Sequence, residues 1–214
     1  MKTSFSFKSL TARTGLGLAV ALAALAPSGC SIIPEATSDP TRFYVLSTQE
    51  APAAAAASVS TTVYLRPIEM ASYLRGRAMV VRRSGNEIEF REFARWGESL
   101  DFGIARLIRE ELLSRGAASA VSAGGARRDH VGPDALTLSV RVLACEGTTQ
   151  GAVVFRAAWD LTTSEGKVIG SGDYRPTDLR WDGKSEAALA GQLSQAVIGL
   201  AGEIAAGVAK KPAA

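Results

Sequence analysis

Few residues of this 214-residue chain could carry out chemistry: two cysteines, one histidine, and a Gly183-Lys184-Ser185 triplet that looks like the end of a phosphate-binding loop. Cys30 has the most informative surroundings. It follows Ser28 and Gly29, the small pair that a lipoprotein signal peptidase accepts. A thiol so placed would receive a diacylglycerol, and the N-terminus created by cleavage would then be acylated. Several acyl chains hold a protein firmly, because each buried methylene contributes roughly 0.8 kcal/mol. Pro27 stands where the lipobox usually has an aliphatic residue, with Leu25 two residues further back. A plain secretory signal cleaved near Ala26 or Gly29 therefore stays open as the alternative.

The other candidates are weaker. If lipid consumes Cys30, Cys145 is a lone thiol best kept buried in an oxidising compartment; a Cys30–Cys145 disulfide is the rival reading. A Ser–His–Asp or Cys–His mechanism would have to use His130, which sits in a polar loop after Arg127, Arg128 and Asp129 and reads more simply as solvated. One histidine and two distant cysteines support no zinc site. The triplet fails as a P-loop, since Asp178 occupies the position where the motif needs its first glycine, and Ser185 reads as a helix N-cap. The acids Glu87, Glu89, Glu98, Asp101 and Asp160 form no identifiable acid–base couple. Arg75, Arg77, Arg82 and Arg83 form a modest basic cluster that would meet lipid head groups or an acidic partner, or simply line a solvated strand edge. No catalytic residue, cofactor or metal is expected.

Lys2, Lys8 and Arg13 precede the uninterrupted apolar run Gly15 to Ala26, which suits a signal-peptide core and is short for a membrane-spanning helix. The formal charge of +3 belongs to that segment. Its removal takes 24 basic residues to 21, against 21 acidic ones, so nucleic acid is not an expected partner. The organisation expected is a lipoprotein signal peptide over 1–29, a polar, proline-containing tether over 30–42, one folded domain over 43–210 and a short tail over 211–214.

Within the domain, Phe43 to Ser47 and the alternating Val59 to Pro67 read as strands, separated by a low-complexity alanine stretch, Glu50 to Ser58. Ala78 to Arg83 and Glu87 to Arg91 make a hairpin across Ser84-Gly85-Asn86. From Ala94 to about Ser114 the period becomes helical: Trp96, Leu100, Ile104, Leu107, Ile108 and Leu112 share a face, and Gly116 closes the helix. A weak edge strand near Ala120 to Ser122 precedes three stronger ones, Ala135 to Cys145, Ala152 to Thr163 and Lys167 to Arg175, the last two joined by Ser164-Glu165-Gly166. A final helix from Ser185 to Ala209 carries Leu189, Leu193, Val197, Leu200, Ile204 and Val208 amid alanine and glycine. Two helices cannot cover both faces of a long parallel sheet. The expected fold is α+β: a mixed, largely antiparallel sheet of seven or eight strands with both amphipathic helices on one face.

The stretch Val63 to Leu100 (VYLRPIEMASYLRGRAMVVRRSGNEIEFREFARWGESL) resembles the ABC-type transport auxiliary lipoprotein family, of the paraquat-inducible PqiC type. Tyr73-Leu74 and Arg77 echo that family's "P-x-Y-L-D-R" segment, and Arg95-Trp96-Gly97-Glu98-Ser99-Leu100 its "R-W-A-E-P-L" helix opening. Phe43-Tyr44-Val45-Leu46 matches the "Y-x-L" strand after the lipidated cysteine, and Val153 to Leu161, with Trp159, a late strand. Met70-Ala71, Arg75-Gly76 and Ser99 depart from the pattern.

The resemblance implies a non-catalytic auxiliary lipoprotein of the periplasm and outer membrane, with inner-membrane anchoring still open. Its partners would be an ABC permease and ATPase and a periplasmic MCE-domain protein, in a system that moves lipid between membranes. It implies docking through surface residues, for which Tyr73, Leu74, Arg75, Arg77, Arg95 and Trp96 are the candidates. A ring or other homo-oligomer would suit a docking element. An accessory for outer-membrane or cell-wall assembly is the alternative, and a hydrolase using His130 a third.

Overall fold

The computed structural model describes residues 38–48, 60–123 and 135–210. Cys30, His130, the Glu50–Ser58 stretch and the export segment lie outside them. Pro40–Ala214 forms a compact unit of its own. Along the chain come β1 (Arg42–Tyr44), β2 (Thr62–Leu65), β3 (Glu69–Met70), a 3-10 turn (Ser72–Leu74), β4 (Ala78–Arg82), β5 (Ile88–Trp96), α1 (Leu100–Ser114), β6 (Ala120–Ala123), β7 (Leu136–Thr148), β8 (Val153–Thr162), β9 (Val168–Tyr174) and α2 (Glu186–Ala209).

β7 organises the sheet. One of its edges runs antiparallel to β8, which in turn pairs antiparallel with β9. The other edge is shared by three short parallel strands in succession: β2 at Leu136–Leu138, β3 at Arg141–Val142 and β4 at Gly147–Thr148. β6 adds parallel to β2, β5 antiparallel to β4, and β1 parallel to β5. The fold is α+β with a mixed sheet, as the element order requires. The expected antiparallel bias is corrected by the pairings among the described residues, of which five of eight are parallel, in a sheet of nine strands. The reason is that β2, β3 and β4 follow one edge of a single long strand, each too short to occupy it alone.

β7 carries its inward chains at Leu136, Leu138, Val140 and Val142, all buried, while Arg141 and Leu143 are exposed. Strict alternation would then expose Cys145. A register shift between Val142 and Ala144 inserts one residue, so Cys145 falls opposite Phe155 and faces the core. The same shift turns Glu146 to the opposite, outer face. On the partner edge the chain departs at the same level, into the Ser72–Leu74 turn.

The helices pack on the inner face. α1 begins at Leu100, six residues later than its periodicity predicts, because Ala94, Arg95 and Trp96 are held as strand. They pair with Arg42, Phe43 and Tyr44, and the amides of Trp96 and Gly97 donate to the carbonyls of Arg77 and Tyr44, both at 2.7 Å. Ile104, Leu107, Ile108 and Leu112 are fully buried. Gly116, at φ 66°, ends the helix in the left-handed conformation that favours glycine. Ser185 caps α2, its hydroxyl accepting from the Ala188 amide at 3.2 Å. The Asp182 carboxylate accepts from the amides of Lys184 and Ser185, which holds its pKa below the usual carboxylate value. The Gly183-Lys184-Ser185 triplet is thus a turn and a cap.

Candidate functional site

Three surface regions hold the side chains able to meet a ligand or partner. The first lies on the outer face opposite the β7 bulge. Tyr73, lifted from the sheet edge by the 3-10 turn, sets its hydroxyl 3.5 Å from the Leu143 carbonyl. Beside it Glu146, 1% exposed, accepts from Arg82 Nε at 2.5 Å, and its other oxygen has no hydrogen-bond partner. Burial, and then the neighbouring carboxylate charge, pushes the Tyr73 hydroxyl up to about 12. The hydrogen bond to Glu146 raises the pKa of Arg82, which keeps the guanidinium charged. Neither Arg82's partner nor the role of Glu146 was anticipated. The signal available was a single acid directly after the buried Val140, Val142 and Cys145 of a long strand.

The second region is the β1–β5 edge. Phe43, Val45 and Phe93 are 63%, 52% and 57% exposed, which is unusual for large apolar side chains. The register pairs Phe43 with Arg95 while Tyr44 and Trp96 turn to the other face. Gly97 lies against the Val45 side chain. Among the described strands β1 pairs with β5 alone.

The third is a cleft of about 550 Å³ along the first half of α1, closed on its other sides by the Arg66–Ile68 segment and β6. Phe102, 67% exposed, forms part of its lip. Arg66, Arg106 and Arg109 reach it. Arg106 is engaged, donating to the Leu46 carbonyl and to Glu98, both at 2.7 Å, and to Glu110 at 3.3 Å. Arg109 donates through Nε to the Val121 carbonyl at 3.1 Å. A neighbouring cavity of about 370 Å³, lined by Arg75, Ser99, Leu100 and Met70, shares Ile68 and Asp101 with it.

The six residues expected to meet a partner are thereby divided. Leu74 and Trp96 are core side chains, 2% and 4% exposed, and cannot reach a partner from this conformation. Tyr73 belongs to the first region, Arg95 to the second and Arg75 to the cavity beside the third. Arg77 is exposed, and its backbone carbonyl serves the strand. Phe43, Val45, Phe93 and Phe102 were not read as surface residues from sequence, since an apolar residue in a strand or amphipathic helix ordinarily faces inward.

Cys145 is a free, buried thiol, and burial pushes its pKa up to about 12, which keeps it protonated and unreactive. Among the described residues no group of three or more His, Cys, Asp or Glu side chains is placed to hold a metal ion, and no helix is long and apolar enough to cross a membrane.

Comparison with known proteins follows the fold closely. The model of the ABC-type transport auxiliary lipoprotein component matches residues 44–205. No curated protein is significantly similar in sequence. One solved structure, of an uncharacterized protein, superposes with a TM-score of 0.63 at 20% identity, over 78% of this chain and 97% of its own. A Xanthomonas campestris protein of the DUF330 family superposes with a TM-score of 0.63 at 19% identity, over 77% and 93%. At these identities the likeness is one of fold.

Proposed function

Because the chain belongs to the family of ABC-type transport auxiliary lipoprotein components, we propose that it is a membrane-anchored, periplasmic docking subunit of an ABC and MCE-type lipid transport system. The observation that carries this reading is the family match across residues 44–205, nearly the whole folded unit. Cys30, behind its positive n-region and twelve-residue apolar run, is the acylation site. Ser31 after the cysteine, in place of the aspartate that retains enteric lipoproteins at the inner membrane, favours the outer membrane. Residues 1–29 are then the signal peptide, 30–42 the tether and 43–210 the functional domain.

The domain works by binding and carries out no reaction. The tether and the anchor confine it near the bilayer, which raises the effective concentration of its encounter with a periplasmic partner. The β1–β5 edge supplies the docking surface: exposed Phe43, Val45 and Phe93 bury apolar area on contact, and Arg95 contributes charge at the rim.

Affinity capture of the full-length chain from a detergent extract tests this. Recovery of an MCE-domain protein or ABC permease by the wild type, lost in a Phe43→Asp, Phe93→Asp variant with unchanged thermal stability, is the expected result. Recovery of neither component, or a mature N-terminus that mass spectrometry shows to be unacylated, overturns it.

A further inference from the structure

We propose that the cleft beside α1 is a lipid site that takes one acyl chain of an anionic phospholipid, with its phosphate held by Arg66 and Arg109. The inference rests on the membrane-anchored reading above and gives the domain a ligand of its own. Three observations carry it. The volume, about 550 Å³, lies within the range of sites for small apolar ligands, which are mostly apolar with a few placed polar groups. Pro67, Ile68, Phe102, Ala105 and Val121 line it with carbon. Phe102 keeps most of its surface in solvent although it stands in the first turn of a packed helix, so an acyl chain laid along it would remove that area from water.

The charge on the rim selects the head group. Arg66 and Arg109 are exposed, and neither has a carboxylate within ion-pairing distance among the described residues. Arg106 is committed to Glu98 and Glu110 and adds little net charge. The Arg109 Nε bond to the Val121 carbonyl fixes one side of its guanidinium, leaving the terminal nitrogens for a phosphate, which guanidinium groups bind in a bidentate manner. Asp101 is the one acid lining the cleft. It precedes Arg109 by eight residues, about 12 Å along the helix axis, which leaves the Arg109 end as the cationic, anion-binding pole.

The same geometry argues against a docking peptide strand. The Val121 carbonyl is a backbone acceptor on β6 that an added strand would need, and Arg109 already occupies it.

The test uses the full-length chain reconstituted in phosphatidylcholine vesicles doped with phosphatidylglycerol that carries a photoactivatable acyl chain, with labelled peptides mapped by mass spectrometry. The expected result is labelling concentrated around Pro67–Met70 and Phe102–Ala105, and preferred about tenfold over a phosphatidylcholine probe. Ala105→Trp, which fills the cleft, removes the labelling. The Arg66→Glu, Arg109→Glu pair removes the preference for phosphatidylglycerol and leaves the melting temperature unchanged. Labelling confined to the β1–β5 edge, cleft labelling unaffected by Ala105→Trp, or equal labelling by both lipids overturns the proposal. So does an Ala105→Trp variant that keeps its lipid label and loses the transport partner, which would make the cleft a protein site. Capture of the transport partner by a wild type whose cleft takes no label sinks the lipid site alone; failure of capture and of acylation sinks the functional reading instead.

Discussion

The two helices meet the rest of the molecule in opposite ways. α2 lies close on β8 and β9: a Cβ added at Gly207 would come 2.7 Å from Trp159 Cη2, and one at Gly199 would strike the Tyr174 hydroxyl. Trp159, in turn, donates from Nε1 to Glu203 at 2.9 Å, and Phe155 meets Tyr174 edge-on at 6.2 Å. α1 buries Ile104, Leu107, Ile108 and Leu112 completely along one stripe, yet its other flank stands away from the Arg66–Ile68 segment and β6, which leaves the cleft. Small residues on α2 permit contact without gaps, and close contact is where stability resides. The α1 flank instead borders open, arginine-lined surface, where a ligand can enter. The contrast separates a structural helix from one that is half structural and half available.

Substitutions can break this contrast, and Trp159→Ala has the largest expected effect. It removes the side chain wedged between β8 and α2 and strands Glu203, at a cost of about 3–5 kcal/mol in chemical denaturation. A cost below ~1 kcal/mol would mean that α2 is not the tightly packed helix. Gly207→Val comes next. The clash with Trp159 costs about 1–3 kcal/mol, offset by a few tenths from better helix propensity, so the midpoint falls. If this variant is stabilised, the contact is looser than the geometry implies.

Cys145 sharpens the comparison through pH. Its thiol is held protonated by burial and by the Glu146 charge, up to about 12 against an ordinary 9.0. A raised pKa means that the unfolded chain loses its proton first. The associated stability is complete below about pH 9 and is lost as pH climbs towards 12. Tyr73, raised from 10.0 to about 12, adds to the loss in the upper part of the same window. Denaturation at pH 8 and pH 11 should show a smaller alkaline loss for Cys145→Ala than for the wild type; equal losses would mean that the thiol is not desolvated. The smallest effect belongs to Ala105→Trp. Because that side chain enters open space, stability should change by less than about 1 kcal/mol. A larger loss would show that the cleft is closed in solution.

Much of the fold could be read directly. The helical stripe from Leu100 to Leu112, the hairpin turn ending in Gly166 at φ 85°, and the Ser185 cap all depend on residues near in sequence, and each formed where local chemistry dictates. The surface was harder to read. Trp96 fits a helical period and ended in a strand, because two flanking strands compete for its backbone and satisfy it. Phe43, Phe93 and Phe102 look like core residues by type, and only the arrangement of their neighbours leaves them in solvent.

The order of strands and helices and the identity of most core residues could be read from the sequence alone, because each rests on a run or period of a few adjacent positions; the export segment ending at Cys30 is an expectation of the same local kind. The three-dimensional structure alone decided what lies on which side. One inserted residue in β7, between Val142 and Ala144, reverses the alternation, sending Cys145 inward and Glu146 out to Arg82. The cleft likewise exists only where α1, the Arg66–Ile68 segment and β6 converge. A bulge and a gap between elements are set by pairing and packing over long range, which no local period encodes.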